Sequence, residues 1–90
     1  MKQADFEARL RREGYREVVT AEMKPREHRA EHAHDYEVEA LILDGEITLA
    51  CGGEERTYRA GDIFRMAAGR PHEERVGDTG VRYLVGRRRG

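Results

Sequence analysis

From Gly45 to Gly80 the chain is cut by turn residues at Gly45, Gly52-Gly53, Gly61, Gly69, Gly77 and Gly80. The stretches between them are too short for a stable helix but long enough for strands. They carry β-branched and aromatic residues that suit a pleated sheet, as in Ile47-Thr48-Leu49, Thr57-Tyr58 and Ile63-Phe64. Val81-Arg82-Tyr83-Leu84-Val85 alternates apolar with polar, and Tyr15 to Met23, closed by Pro25, and Val38 to Leu43 extend the pattern upstream. Roughly eight strands at intervals of about ten residues predict an all-β sandwich or small barrel. No helical segment separates the strands, which excludes a parallel α/β architecture. Asp44-Gly45 predicts a tight type I′ hairpin joining Val38–Leu43 to Glu46–Ala50. Further turns are expected at Cys51–Glu54, Ala60–Asp62, Ala68–Pro71 and Gly77–Gly80.

One short helix precedes the strands. Over residues 5 to 13, Asp5 is placed to cap the start, Phe6 and Leu10 lie on one face, and Gly14 supplies the left-handed stop. Glu7 near the start and Arg9, Arg11 and Arg12 near the end agree with the helix dipole. Residues 1–14 therefore read as a helix packed on the barrel, 15–86 as the barrel, and 87–90 as a basic, disordered and solubilising tail. Ala40 to Leu43 is apolar on both faces, so one face must line the barrel and the other must be covered by the helix or by a second subunit. A homodimer is expected on that ground.

Ninety residues with 38% hydrophobic and 39% charged side chains form one domain with little apolar material to spare. The net charge of -1 supplies no field for nucleic acid or an anionic membrane, and neither is expected as a partner. Cys51 is the only cysteine, so no disulfide forms within the chain and a reducing compartment fits. No long apolar run marks a signal peptide or a membrane span, and a cytoplasmic location is expected.

His32 and His34 carry the chemistry. A spacing of two puts both side chains on one face of a strand, and His72, after a Gly-Arg-Pro turn, is placed to join them from another strand. Neutral imidazoles suit zinc, copper, iron or nickel. The alternative is an H-x-H pair exposed to solvent on a polar chain. His28 lies outside this pattern and reads as an exposed residue. Glu74 shares a face with His72 by alternation, as a ligand-orienting or acid–base group.

With these residues in place the chain resembles the small single-domain cupins. His32-Ala33-His34 and Gly45 stand for the family's first motif, and Gly61, Ala67-Ala68-Gly69 and Arg70-Pro71-His72 for its second. Arg26, Ala67 and Val76 depart from it, standing where the family has Gly, Pro and Asn. The resemblance implies a double-stranded β-helix, the cupin jelly-roll barrel, with an ion held inside. It implies a divalent transition metal (Fe, Ni, Zn, Mn or Cu) on His32, His34 and His72, with an acidic fourth ligand. Counting by the motif selects Val38 from one side and Glu39 from the other, with Glu37 as a second candidate. Simple strand parity puts Val38 and Ala40 on the histidine face, whereas a bulge at Asp35-Tyr36 would turn Glu37 and Glu39 inward. Tyr36, Val38, Phe64, Met66, Glu74 and Tyr83 are expected to line the pocket, and Tyr58 is a further candidate. The implied functions are a small-molecule enzyme of dioxygenase, isomerase or decarboxylase type, or a non-catalytic ligand-binding or sensor module. A structural dimerisation unit is a third, weaker reading.

Overall fold

The structure, a computed structural model, describes residues 1–89. Helix α1 (Gln3–Arg12) leads into strands β1 (Glu17–Met23), β2 (His28–His32), β3 (Glu37–Cys51), β4 (Glu54–Arg59), β5 (Ile63–Met66) and β6 (His72–Arg88). Two long strands organise the molecule. Antiparallel β3 and β6 pair from Glu37↔Arg88 to Ala50↔Glu73, and each serves two sets of outer partners. The first half of β3 takes β5 and its second half takes β4, while the first half of β6 takes β2 and its second half takes β1. A long ribbon that bends midway and gains a strand on each edge is the winding of a jelly roll.

The bends explain where the turn residues depart from expectation. Asp44-Gly45 does not close a hairpin. It stays within β3, where the β3–β6 register shifts between Ile42 and Asp44 and again between Gly45 and Ile47. Gly45 has φ +77°, and a Cβ there would lie 1.9 Å from the Gly80 carbonyl oxygen. Glycine is required because two strands cross closely at a corner, and a left-handed glycine serves a bulge as well as a turn. Gly77–Gly80 likewise bends β6 without reversing it. Counting each long strand as two arms recovers eight from the observed six. A true two-residue hairpin does form at Gly52-Gly53, which joins β3 to β4 with both glycines at positive φ.

Apolar residues divide between two clusters on opposite faces of the sheet. Met23, Ile42, Ile47, Leu49, Met66, Val76 and Val81 fill the barrel. On the outside, Phe6 and Leu10 of α1 pack with Tyr15, Leu41 and Leu84 and are fully buried. Cover for the outer face of β3 is thus supplied within the chain. Among the described residues, Met1 and Val19 are the large hydrophobics left exposed. The helix begins two residues earlier than expected, with Lys2 at the cap and Asp5 inside the first turn, where its charge still favours the dipole. Strand β6 runs through Arg87 and Arg88, which pair with Glu17 and Glu37, so these two belong to the sheet. Gly90, the last residue of the expected tail, lies outside the described residues. No described helix is long and apolar enough to cross a membrane.

Candidate metal centre

The histidines meet where β2 ends and β6 begins. His32 and His72 are register partners across this strand pair, whose pairing is irregular between Arg29 and His32. His34 follows in the connection to β3, tied down by the Gly69 amide, which donates to the His34 carbonyl at 2.7 Å. The ring centroids lie 4.5 Å apart for His32 and His72, 4.9 Å for His32 and His34, and 5.2 Å for His34 and His72. Glu74, two residues after His72 on β6, presents its carboxylate to the same point. One donor atom from each of the four residues lies within 4.8 Å of the others.

Hydrogen bonding sets the direction of the lone pairs. The His32 Nδ1 lies 2.8 Å from the Ala30 carbonyl and the His72 Nδ1 lies 2.9 Å from the Arg70 carbonyl. A carbonyl only accepts, so each Nδ1 carries the hydrogen and each neutral ring keeps its lone pair on Nε2. Both Nε2 atoms face the same oxygen, Oε2 of Glu74, at 3.0 and 3.3 Å. Two imidazole lone pairs and a carboxylate oxygen repel one another unless a cation or proton sits among them. His72 is 3% exposed and Glu74 9%, which limits relief by water. Nitrogen and oxygen donors in this proportion fit a divalent transition ion. Burial, with the neighbouring His32 and His72, holds the His34 imidazole below its ordinary pKa, favouring the neutral form that ligates metal.

Beside the cluster is a cavity of about 80 Å³. Its apolar wall is Val38, Leu49, Phe64, Met66 and Val85, and its polar wall includes Tyr36, Tyr83, Arg29 and Arg87 along with His34, His72 and Glu74. Tyr36 stacks on His34 with centroids 4.8 Å apart and planes 16° from parallel. Burial pushes the Tyr83 phenol up, so it stays protonated and able to donate.

Residues 19–85 match the cupin domain family Cupin_2. This chain belongs to the cupins. Solved structures agree on the fold. A protein of unknown function from Rhizobium leguminosarum superposes with a TM-score of 0.76 at 16% identity, covering 81% of this chain and 69% of that one. The Cnp3 cupin domain of Schizosaccharomyces pombe gives 0.72 at 15% identity, covering 81% and 55%. The DMSP lyase DddQ of Ruegeria pomeroyi gives 0.70 at 28% identity, covering 79% of this chain and 36% of the lyase. This cupin therefore spans about half of the Cnp3 domain and about a third of the lyase. No curated protein matches its sequence.

Of the acidic candidates that motif counting left open, neither Glu39 nor Glu37 faces the histidines. Glu39 is 2% exposed, but it lies on the helix side of β3, where its carboxylate accepts from Arg9 of α1 and faces Arg65 Nε at 3.3 Å. Glu37 pairs with Arg88 at 3.1 Å. Simple strand parity prevails: Val38 faces the cavity and the two glutamates face away. All six expected lining residues (Tyr36, Val38, Phe64, Met66, Glu74 and Tyr83) stand in the cavity wall, with Glu74 in the donor cluster itself. Tyr58 packs on Phe64 and lines a neighbouring crevice instead. His28 is exposed, 3.5 Å from Glu73. Sequence reasoning missed Arg29, Leu49, Val85 and Arg87. Val85 and Arg87 continue the alternation that begins at Tyr83, and that signal was available once β6 was extended past Gly86.

Proposed function

We propose that this cupin binds a divalent transition metal ion through His32, His34, His72 and Glu74 and offers the ion's open side to a small molecule in the adjoining cavity. One observation carries the reading: two Nε2 lone pairs, oriented by Nδ1 hydrogen bonds to backbone carbonyls, converge with a buried carboxylate on one point. A bound ion would polarise a ligand oxygen or lower the pKa of bound water, and iron would add oxygen chemistry. The protein's own part is positional. Val38, Leu49, Phe64 and Met66 keep bulk water from the far wall, and the Tyr83 phenol holds a proton that it can donate to a bound ligand. Dioxygenase, isomerase and decarboxylase chemistry all lie within this arrangement.

A non-catalytic binding or sensor module is the second reading. It is favoured by the cavity wall, which outside the donor cluster holds tyrosines and arginines but no carboxylate or histidine to serve as a base. Elemental analysis of untagged protein tests the metal reading. About one ion per chain in the wild type, lost in His72→Ala and Glu74→Gln, is the expected result. A folded wild-type protein that stays metal-free and shows no thermal shift with Fe(II), Ni(II) or Zn(II) overturns it. Oxygen uptake against thiols and diketones then tests the dioxygenase form of the enzyme reading.

A further inference from the structure

Two cationic side chains in the cavity wall, Arg29 and Arg87, are not needed to hold a metal ion. Arg29 is the register partner of Glu74 across β2 and β6, and its Nε donates to Glu27 at 3.1 Å. Arg87 is less engaged, with its nearest carboxylate, that of Glu17, 3.7 Å away. Together with Tyr36, Arg87 also lines an open groove of about 500 Å³ bounded by Arg16, Glu17, Arg88 and Arg89. The Arg87 and Arg89 guanidinium carbons lie 6.0 and 5.6 Å from the centre of the Tyr36 ring. Arg88 is occupied by Glu37, and Arg89 lies 3.4 Å from Asp35. Tyr36 and Arg87 thus line both groove and cavity, and of the two guanidiniums in the cavity wall Arg87 has the looser ion pair.

From this arrangement we infer that the cavity selects a small carboxylate, which enters along the arginine-lined groove and is held by Arg87 with support from Arg29. Guanidinium groups match the planar fork of a carboxylate and cannot be neutralised by losing a proton. Glu74 is the one acid among the described cavity-wall residues and two guanidiniums stand with it, so a negative ligand balances the site where a neutral one does not. Size narrows the class further. A cavity of about 80 Å³ suits a small acid over a long-chain or aromatic one. This selectivity rests on the metal-site reading above only for the cation on the far side of the ligand, and the arginine contribution is measurable without it.

The test is an NMR titration of the full chain, zinc-loaded and metal-free, with acetate and propionate against acetamide and propionamide, read at the backbone amides of Tyr36 and Arg87. Acetate is expected to bind at least about ten-fold more tightly than acetamide. Arg87→Gln should remove about ten-fold of the acetate affinity, and Arg87→Lys should restore part of it, with zinc stoichiometry unchanged in both. Arg29→Gln gives a second, smaller loss and carries the same reading if Arg87→Gln does not fold. Equal binding of acid and amide, or acetate affinity indifferent to both arginine variants, overturns the proposal. Zinc binding with charge-blind ligand binding would sink this inference alone. Arginine-dependent acetate binding in a protein that takes no zinc would sink the metal reading alone.

Discussion

Substituting the two buried glutamates separately distinguishes strand parity from motif counting. Glu39 is 2% exposed and its carboxylate faces Arg9 and Arg65, whose side chains are 20% and 70% exposed. In Glu39→Gln the amide keeps the shape but loses the charge. Removing one partner of a buried pair costs about 3–5 kcal/mol when the other charge is stranded. Here both arginines reach water, so the cost falls to about 2 kcal/mol, near that of a charged hydrogen bond. For a domain of this size that lowers the Tm by roughly 8–16 °C. Helix α1 should loosen first, because Arg9 is its ion-pair link to β3. Metal content should not change. Glu74→Gln should do the reverse, leaving the metal-free Tm within a few degrees while metal affinity falls by at least about ten-fold. Calorimetry of chelator-treated protein and elemental analysis of reloaded protein read the two effects independently. If Glu39→Gln lost the metal while Glu74→Gln kept it, the assignment of faces on β3 and the donor set would both be wrong.

Two further outcomes follow from geometry and titration. Gly45→Ala should cost more than about 3 kcal/mol or prevent folding, since it combines a left-handed φ with a Cβ 1.9 Å from the Gly80 oxygen. Gly52→Ala, at φ +56° but with nothing within 4 Å, should cost only about 1–2 kcal/mol, and urea midpoints of the pair provide the check. His34 is held below the ordinary imidazole pKa when folded, so as the pH falls below about 6.5 the unfolded chain takes up its proton before the native state does. That contribution to metal-free stability is complete above this range and is lost as the pH drops toward the depressed native value. The urea midpoint should therefore fall with acid in the wild type and fall less steeply in His34→Gln. An identical slope in both would show that His34 is not the group responsible.

Local features were readable where neighbouring residues alone decide them. The spacing of Phe6 and Leu10 placed the buried face of α1, and the two-residue separation of His72 from Glu74 placed that pair on one face of β6; His32 and His34 also meet, but His34 lies in the connection after β2 and not on a strand face. Alternation along β3 put Val38 on the cavity side, whereas the family count was split between Val38 and Glu39, and Glu39 faces the helix. Asp44-Gly45 was misread because a left-handed glycine is compatible both with a reversal and with a corner in a continuous strand. Only the close crossing of Gly80 selects between them. The end of β6 was misread for a similar reason. Arg87 and Arg88 have the composition of a tail, and it is their pairing with β1 and β3 that makes them strand.

Sequence by itself determined the all-β class and the covering helix, because each depends on periodicity and spacing within a short stretch of chain, whereas the cross-strand pairing of β2 with β6 is what brings His72 to the other two imidazoles. Tertiary structure alone decided which carboxylate joins them. Glu39 and Glu74 are both buried acids on long strands, and they differ only in what packs opposite: two arginines for one, two imidazole lone pairs for the other. Those partners come from elements far apart in the sequence, and the winding of β3 against β6 determines which of them meet.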